Sequence, residues 1–195
     1  MYLPSDMKGY LGEREVKEVL KLLERQGVRY IYNAVVPRGS TVTQIDFMLF
    51  SKRVFLCLEV KAWSGEIFIP SEENGKWKLV YGRQTIRPHN PLDQNDAHTR
   101  AANANSLCGV KYENYVVFPK NPIIHNKLYN TGSLADLVNF IFSANEKYPQ
   151  EFVDKEYAHF EELTQEYYPD FMEKEYLRQM RTEFEKTSLF GDDYD

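Results

Sequence analysis

The sequence predicts an α/β sandwich, with a central mixed β-sheet flanked by helices. Three observations carry that expectation. An amphipathic helical stretch precedes a block of apolar, β-rich runs. Further helical stretches then alternate with short strands. Finally, 43% of the 195 residues are hydrophobic, enough to bury one core. We place the main domain at residues 1–148 and an acidic, aromatic-rich helical extension at 149–195, with a frayed end.

Residues 8–26 carry Leu11, Val16, Val19, Leu20, Leu22 and Leu23 near a 3.6-residue period, and Gly27 sits where a helix would stop. Arg29 to Pro37 reads as a strand, closed by a loop from Arg38 to Thr41. A hairpin follows: Gln44 to Phe50, a break at Ser51-Lys52-Arg53, then Val54 to Lys61. Glu66 to Pro70 and Lys76 to Tyr81 read as short strands around a loop at 71–75, and Gly82 to His89 as a polar, basic connection. Asn90 caps a helix over 91–107, with Pro91 in its first turn. Asn114 to Phe118 is a strand, Ile123 to Tyr129 holds another, and Ser133 caps a helix to about Asn145. Beyond residue 150 two helices broken at Pro169 are expected, packed on the domain or offered to a protein partner.

Three charges interrupt the apolar hairpin: Asp46, Glu59 and Lys61. Strand alternation puts Glu59 and Lys61 on one face. A turn centred between Lys52 and Arg53 sets Asp46 opposite Glu59, with Cβ atoms roughly 4.5–5.5 Å apart. Two carboxylates so close in an apolar sheet need a cation. Mg²⁺ or Mn²⁺ fits, because Mg²⁺ keeps several waters and asks for few protein oxygens. The Val60 carbonyl is a third oxygen. Lys61 can then orient an attacking water or stabilise developing charge, the requirement of phosphodiester hydrolysis. Glu13 can join through a bridging water if its helix packs over the sheet end, and Gln94 can hold a water or phosphate oxygen. An internal Asp46–Lys61 ion pair is the competing account of two of these charges, and a solvated Glu-x-Lys edge is the simplest reading of the other pair.

Composition excludes several alternatives. The net charge of −5 leaves no overall basic footprint for nucleic acid. Two cysteines cannot build a zinc ribbon, and the four histidines lack ligand spacing. No transmembrane run or leader pattern is evident, so a cytoplasmic protein without membrane attachment is expected. Arg83, Arg87, Lys76 and Lys78 offer phosphate contacts or a solvated basic face. His98, four residues after Gln94, reaches the same side of its helix.

The blocks Gly12-Glu13, Ile45-Asp46, Glu59-Val60-Lys61, Gly65-Glu66-Ile67, Trp77 and Asn90-Pro91-Leu92-Asp93-Gln94 occur in an order that resembles the nuclease-related domain (NERD) family. The resemblance spans roughly residues 9–120. It implies a restriction-endonuclease-like fold and a Mg²⁺-dependent DNA nuclease, with Glu13, Asp46, Glu59, Lys61 and Gln94 as the active-site set. The alternative expectation is a nuclease-fold module, silent or activated by a partner, that binds DNA or assembles within a DNA-processing or defence complex.

Overall fold

The computed structural model describes residues 5–71 and 76–189, with side chains over 9–71 and 76–176. The chain opens with α1 (Ser5–Glu24), a hairpin of β1 (Arg29–Arg38) and β2 (Thr41–Phe50), and β3 (Phe55–Val60). Then come β4 (Glu66–Phe68), β5 (Lys78–Tyr81), β6 (Gln84–Ile86), α2 (Pro91–Ala104), β7 (Tyr112–Val117), β8 (Ile123–His125), β9 (Thr131–Gly132), α3 (Leu134–Ser143) and α4 (Gln150–Leu189). The main sheet runs β1-β2-β3-β7-β9. Its first three strands are antiparallel, whereas β3–β7 and β7–β9 are parallel. The sandwich and its mixed sheet match the expectation.

Helices cover both faces, so the central strands read as unbroken apolar runs. Val16, Leu20 and Leu23 of α1, with Leu137 and Ile141 of α3, close over Phe47, Leu49, Leu56 and Leu58 on one face. Ala101 and Ala102 of α2, with Val153 and Phe160 of α4, close over Met48, Phe50, Phe55 and Cys57 on the other. The extension beyond residue 149 therefore begins inside this core. Glu156 fixes it there: its buried carboxylate accepts hydrogen bonds from Ser106 Oγ, the Cys108 amide and Tyr112 Oη.

Four differences from the sequence reading have physical reasons. The connection expected from Arg38 to Thr41 shrinks to Gly39-Ser40, because both strands run on in antiparallel register to the Arg38↔Thr41 pair. The short strands form a separate sheet, β6-β5-β4-β8, packed around Trp77, Ile67 and Phe118. β6 lies within the stretch read as a polar connection; all its residues are exposed, so no apolar pattern marks it. α4 continues through Pro169 instead of breaking. Pro169 lies in an exposed stretch, where water can satisfy the carbonyl that loses its partner. Of the loop expected at 71–75 only Ser71 is described, and the frayed end lies outside the described residues after Leu189.

Candidate active site

The carboxylates meet where β2 and β3 part. The β2–β3 ladder pairs Phe50↔Phe55 through Phe47↔Leu58, the register that sets Asp46 opposite Glu59. The ladder ends one pair short of them. The Asp46 carboxylate instead takes the Val60 backbone amide, at 2.8 Å. In an extended strand a residue's N–H and C=O point to the same side, so the Val60 carbonyl faces Asp46 as well.

A second irregularity aims Asp46. Residues two apart share a face in a regular strand. Yet Ile31, Ala34 and Val36 lie in one apolar cluster, and so do Ile45, Met48 and Phe50. Each strand therefore skips one position, Asn33 in β1 and Asp46 in β2. The two stand opposite each other, between the pairs Tyr32↔Phe47 and Ala34↔Ile45, and the register is unchanged across them. Asn33 takes a left-handed backbone, φ 53°, which asparagine tolerates better than most residues.

Glu59 is buried and pairs with Lys61 Nζ, which also donates to Gln94 Oε1 at 3.1 Å. Lys61 thus chooses Glu59, and the Asp46–Lys61 pair weighed from the sequence does not form. Glu59 Oε2 is buried without a hydrogen-bond partner. Burial, then the Glu59 charge, pushes the Asp46 carboxyl up to about 7, against the pull of the Val60 amide. Burial likewise raises Glu59, partly offset by Lys61. A pair of carboxylates this reluctant to ionise is what a bound dication would relieve.

Glu13 enters from α1. It lies one turn before Val16, on the helix face that packs against the sheet. Gly12 permits that approach: a Cβ there would stand 2.8 Å from the Ala62 Cβ, just past Lys61. Glu13 Oε2 accepts from Tyr32 Oη at 2.7 Å. From α2, whose first turn is capped by the Asn90 side chain on the Leu92 amide, come Gln94 and His98. His98 Nδ1 meets Thr43 Oγ1 at 2.8 Å, and Nε2 stands 3.9 Å from Glu59 Oε2. Burial, with the charges of Arg38 and Lys61, pushes His98 down to about 4, so its ring is neutral. The buried Asn95 sets the helix itself, donating to the Cys57 and Tyr115 carbonyls of β3 and β7.

Glu13, Asp46, Glu59, Val60, Lys61, Gln94 and His98 thus converge. Arg83 and Arg87 do not join them in this constellation; both are exposed at the β5–β6 hairpin of the smaller sheet. Lys78 lies with its ammonium 3.9 Å from the Phe68 ring centre. Tyr32, Asn33, Thr43 and Arg38 were not singled out from the sequence. A lone Asn inside an apolar strand was the available signal for Asn33; Thr43 and Arg38 carry none.

The residues fit a hard divalent cation. They offer two carboxylates, one of them with an orphaned buried oxygen, and a backbone carbonyl. Among the described residues no group of three or more His, Cys, Asp or Glu is placed to hold a metal ion. No helix among the described residues is long and apolar enough to cross a membrane.

No curated protein and no solved structure gives a significant match to the chain. The family model described as the nuclease-related domain matches residues 8–119, from α1 through β7 and including every converging residue. The chain belongs to the nuclease-related domain (NERD) family.

Proposed function

We propose that the protein is a metal-dependent nuclease that hydrolyses DNA phosphodiester bonds. One observation carries the reading: two opposed carboxylates, Asp46 half-buried and Glu59 buried with an orphaned oxygen, lie beside a lysine held by Glu59 and Gln94. Asp46, Glu59 and the Val60 carbonyl would hold Mg²⁺ or Mn²⁺, which supplies Lewis-acid stabilisation of charge on the phosphoryl oxygens.

The chain's own groups do the rest. Lys61 is fixed by two acceptors, so its ammonium is preorganised to orient water or meet developing negative charge. Gln94 keeps Lys61 from collapsing wholly onto Glu59. Neutral His98 is a hydrogen-bonding group beside Glu59, available to substrate. Arg83 and Arg87 contact flanking phosphates from the β5–β6 hairpin, as a polyanion needs in an acidic protein.

The test is plasmid cleavage by wild type with Mg²⁺, with EDTA, and by Lys61→Ala. Cleavage should need both metal and lysine. Cleavage that persists in EDTA and in the variant refutes the reading.

A second reading, a partner-activated module, is favoured by one feature. Tyr168, Met172 and Tyr176 of α4 are exposed at four-residue spacing, an apolar stripe on one helix face. Robust cleavage by the isolated chain, with no protein partner in a pull-down, removes it.

A further inference from the structure

Glu13 sits at the margin of the site on a flexible side chain, and something must hold it. Its Oε2 accepts from Tyr32 Oη at 2.7 Å. Gly12 beside it packs on Ala62, just past Lys61, and Tyr32 pairs with Phe47, next to Asp46, so the carboxylate is held at the same end of the sheet. Tyr32 is in turn locked. Its ring packs on Phe47 with centroids 5.0 Å apart, and the Lys17 ammonium lies 4.7 Å over its centre. Burial and Glu13 push the phenol up to about 12, so it remains a donor at neutral pH.

We propose that Tyr32 is a positioning residue for Glu13: its hydroxyl holds one carboxylate oxygen and leaves the other free for a water of the cation site. The inference rests on the metal-dependent reading of that site. It differs from a packing role, because the Tyr32 ring alone suffices to fill the space against Phe47. Residues that orient a metal centre from outside typically contribute tenfold or more to metal affinity or activity.

The experiment compares wild type, Tyr32→Phe, Glu13→Ala and the double variant. Mn²⁺ binding is measured by calorimetry with the metal alone, cleavage is measured against Mg²⁺ concentration, and melting temperature is recorded. Tyr32→Phe should keep the melting temperature, weaken Mn²⁺ about tenfold and raise the Mg²⁺ requirement. The double variant should bind Mn²⁺ no worse than Glu13→Ala, since the hydroxyl acts only through Glu13. Unchanged Mn²⁺ affinity in Tyr32→Phe overturns the proposal, whether or not the melting temperature falls. Losses that multiply in the double variant also overturn it. A wild type that binds Mn²⁺ through Tyr32 and Glu13 but cleaves no DNA upholds Tyr32 and refutes the nuclease. A wild type that binds no Mn²⁺ refutes both.

Discussion

Replacing Asp46 by Asn should stabilise the metal-free protein at alkaline pH while abolishing cleavage. Asp46 stands opposite Glu59 in a largely dry setting. Two charges roughly 5 Å apart interact by ~3 kcal/mol at an effective dielectric constant of about 20. That is a ceiling, because Asp46 keeps some solvent contact and the Val60 amide donates to it. An Asn side chain keeps that bond through its carbonyl and turns an amide towards Glu59. The sign follows from proton affinity. The folded chain holds the Asp46 proton up to about pH 7, whereas an unfolded Asp releases it near pH 3.9. Between those values the folded state binds more protons, so stability falls as pH rises and then levels off. The gain on substitution is absent at pH 4 and full above pH 7. At ~2–4 °C per kcal/mol for a chain of this size, melting should rise by up to ~10 °C. The assay is thermal unfolding in EDTA at pH 4.5 and pH 8.5, repeated with Mg²⁺. Metal should raise the wild type by mass action and leave the variant nearly unmoved. A variant less stable than wild type at pH 8.5 in EDTA would refute the argument that these carboxylates repel each other.

Other outcomes follow from single contacts. Glu156→Leu leaves Tyr112 Oη and the Cys108 amide without their acceptor, and should cost about 2–4 kcal/mol in urea unfolding; an unchanged midpoint would mean α4 is held by apolar contacts alone. Asn33→Gly keeps the left-handed backbone and should retain cleavage, whereas Asn33→Val opposes it and should lose both cleavage and ~1–3 kcal/mol of stability. Equal behaviour of the two variants would contradict the role given to that φ. Gly12→Val should push α1 from Ala62 and raise the Mg²⁺ requirement through Glu13, with wild-type metal dependence as the contrary result. Arg83→Ala with Arg87→Ala should lower the salt slope of DNA binding by about 2; an unaltered slope would take the hairpin out of the DNA path.

The site was legible because its residues break a pattern. Asp46, Glu59 and Lys61 are charges in runs that otherwise read as buried strand, and the turn centre sets Asp46 opposite Glu59, as the β2–β3 register does. The capped start of α2 likewise brings Gln94 to Lys61. Other features left no trace for a physical reason. The second half of β2 is buried on both faces, so Ile45, Phe47 and Met48 are apolar whichever way they point. A skipped position in such a strand is invisible to alternation. Tyr32 looked like any core aromatic until its hydroxyl was located against Glu13. The smaller sheet was hidden because three-residue strands carry too little pattern to say which neighbours they join.

The matched irregularity at Asn33 and Asp46 also constrains how the chain can vary. Because each strand holds one extra residue, the two cancel, and the register beyond them is preserved. Deleting Asn33 alone would turn everything on its far side in β1 over, sending Ala34 and Val36 towards the wrong helices. Deleting Asp46 alone would do the same to β2. Removing both would restore an unbroken hairpin with all its hydrogen bonds and no inward carboxylate to repel Glu59. The double deletion should therefore fold as a regular sheet, whereas either single deletion should misfold. Substitutions are free of this constraint, but the number of residues is not: a deletion in one strand demands a matching deletion in the other.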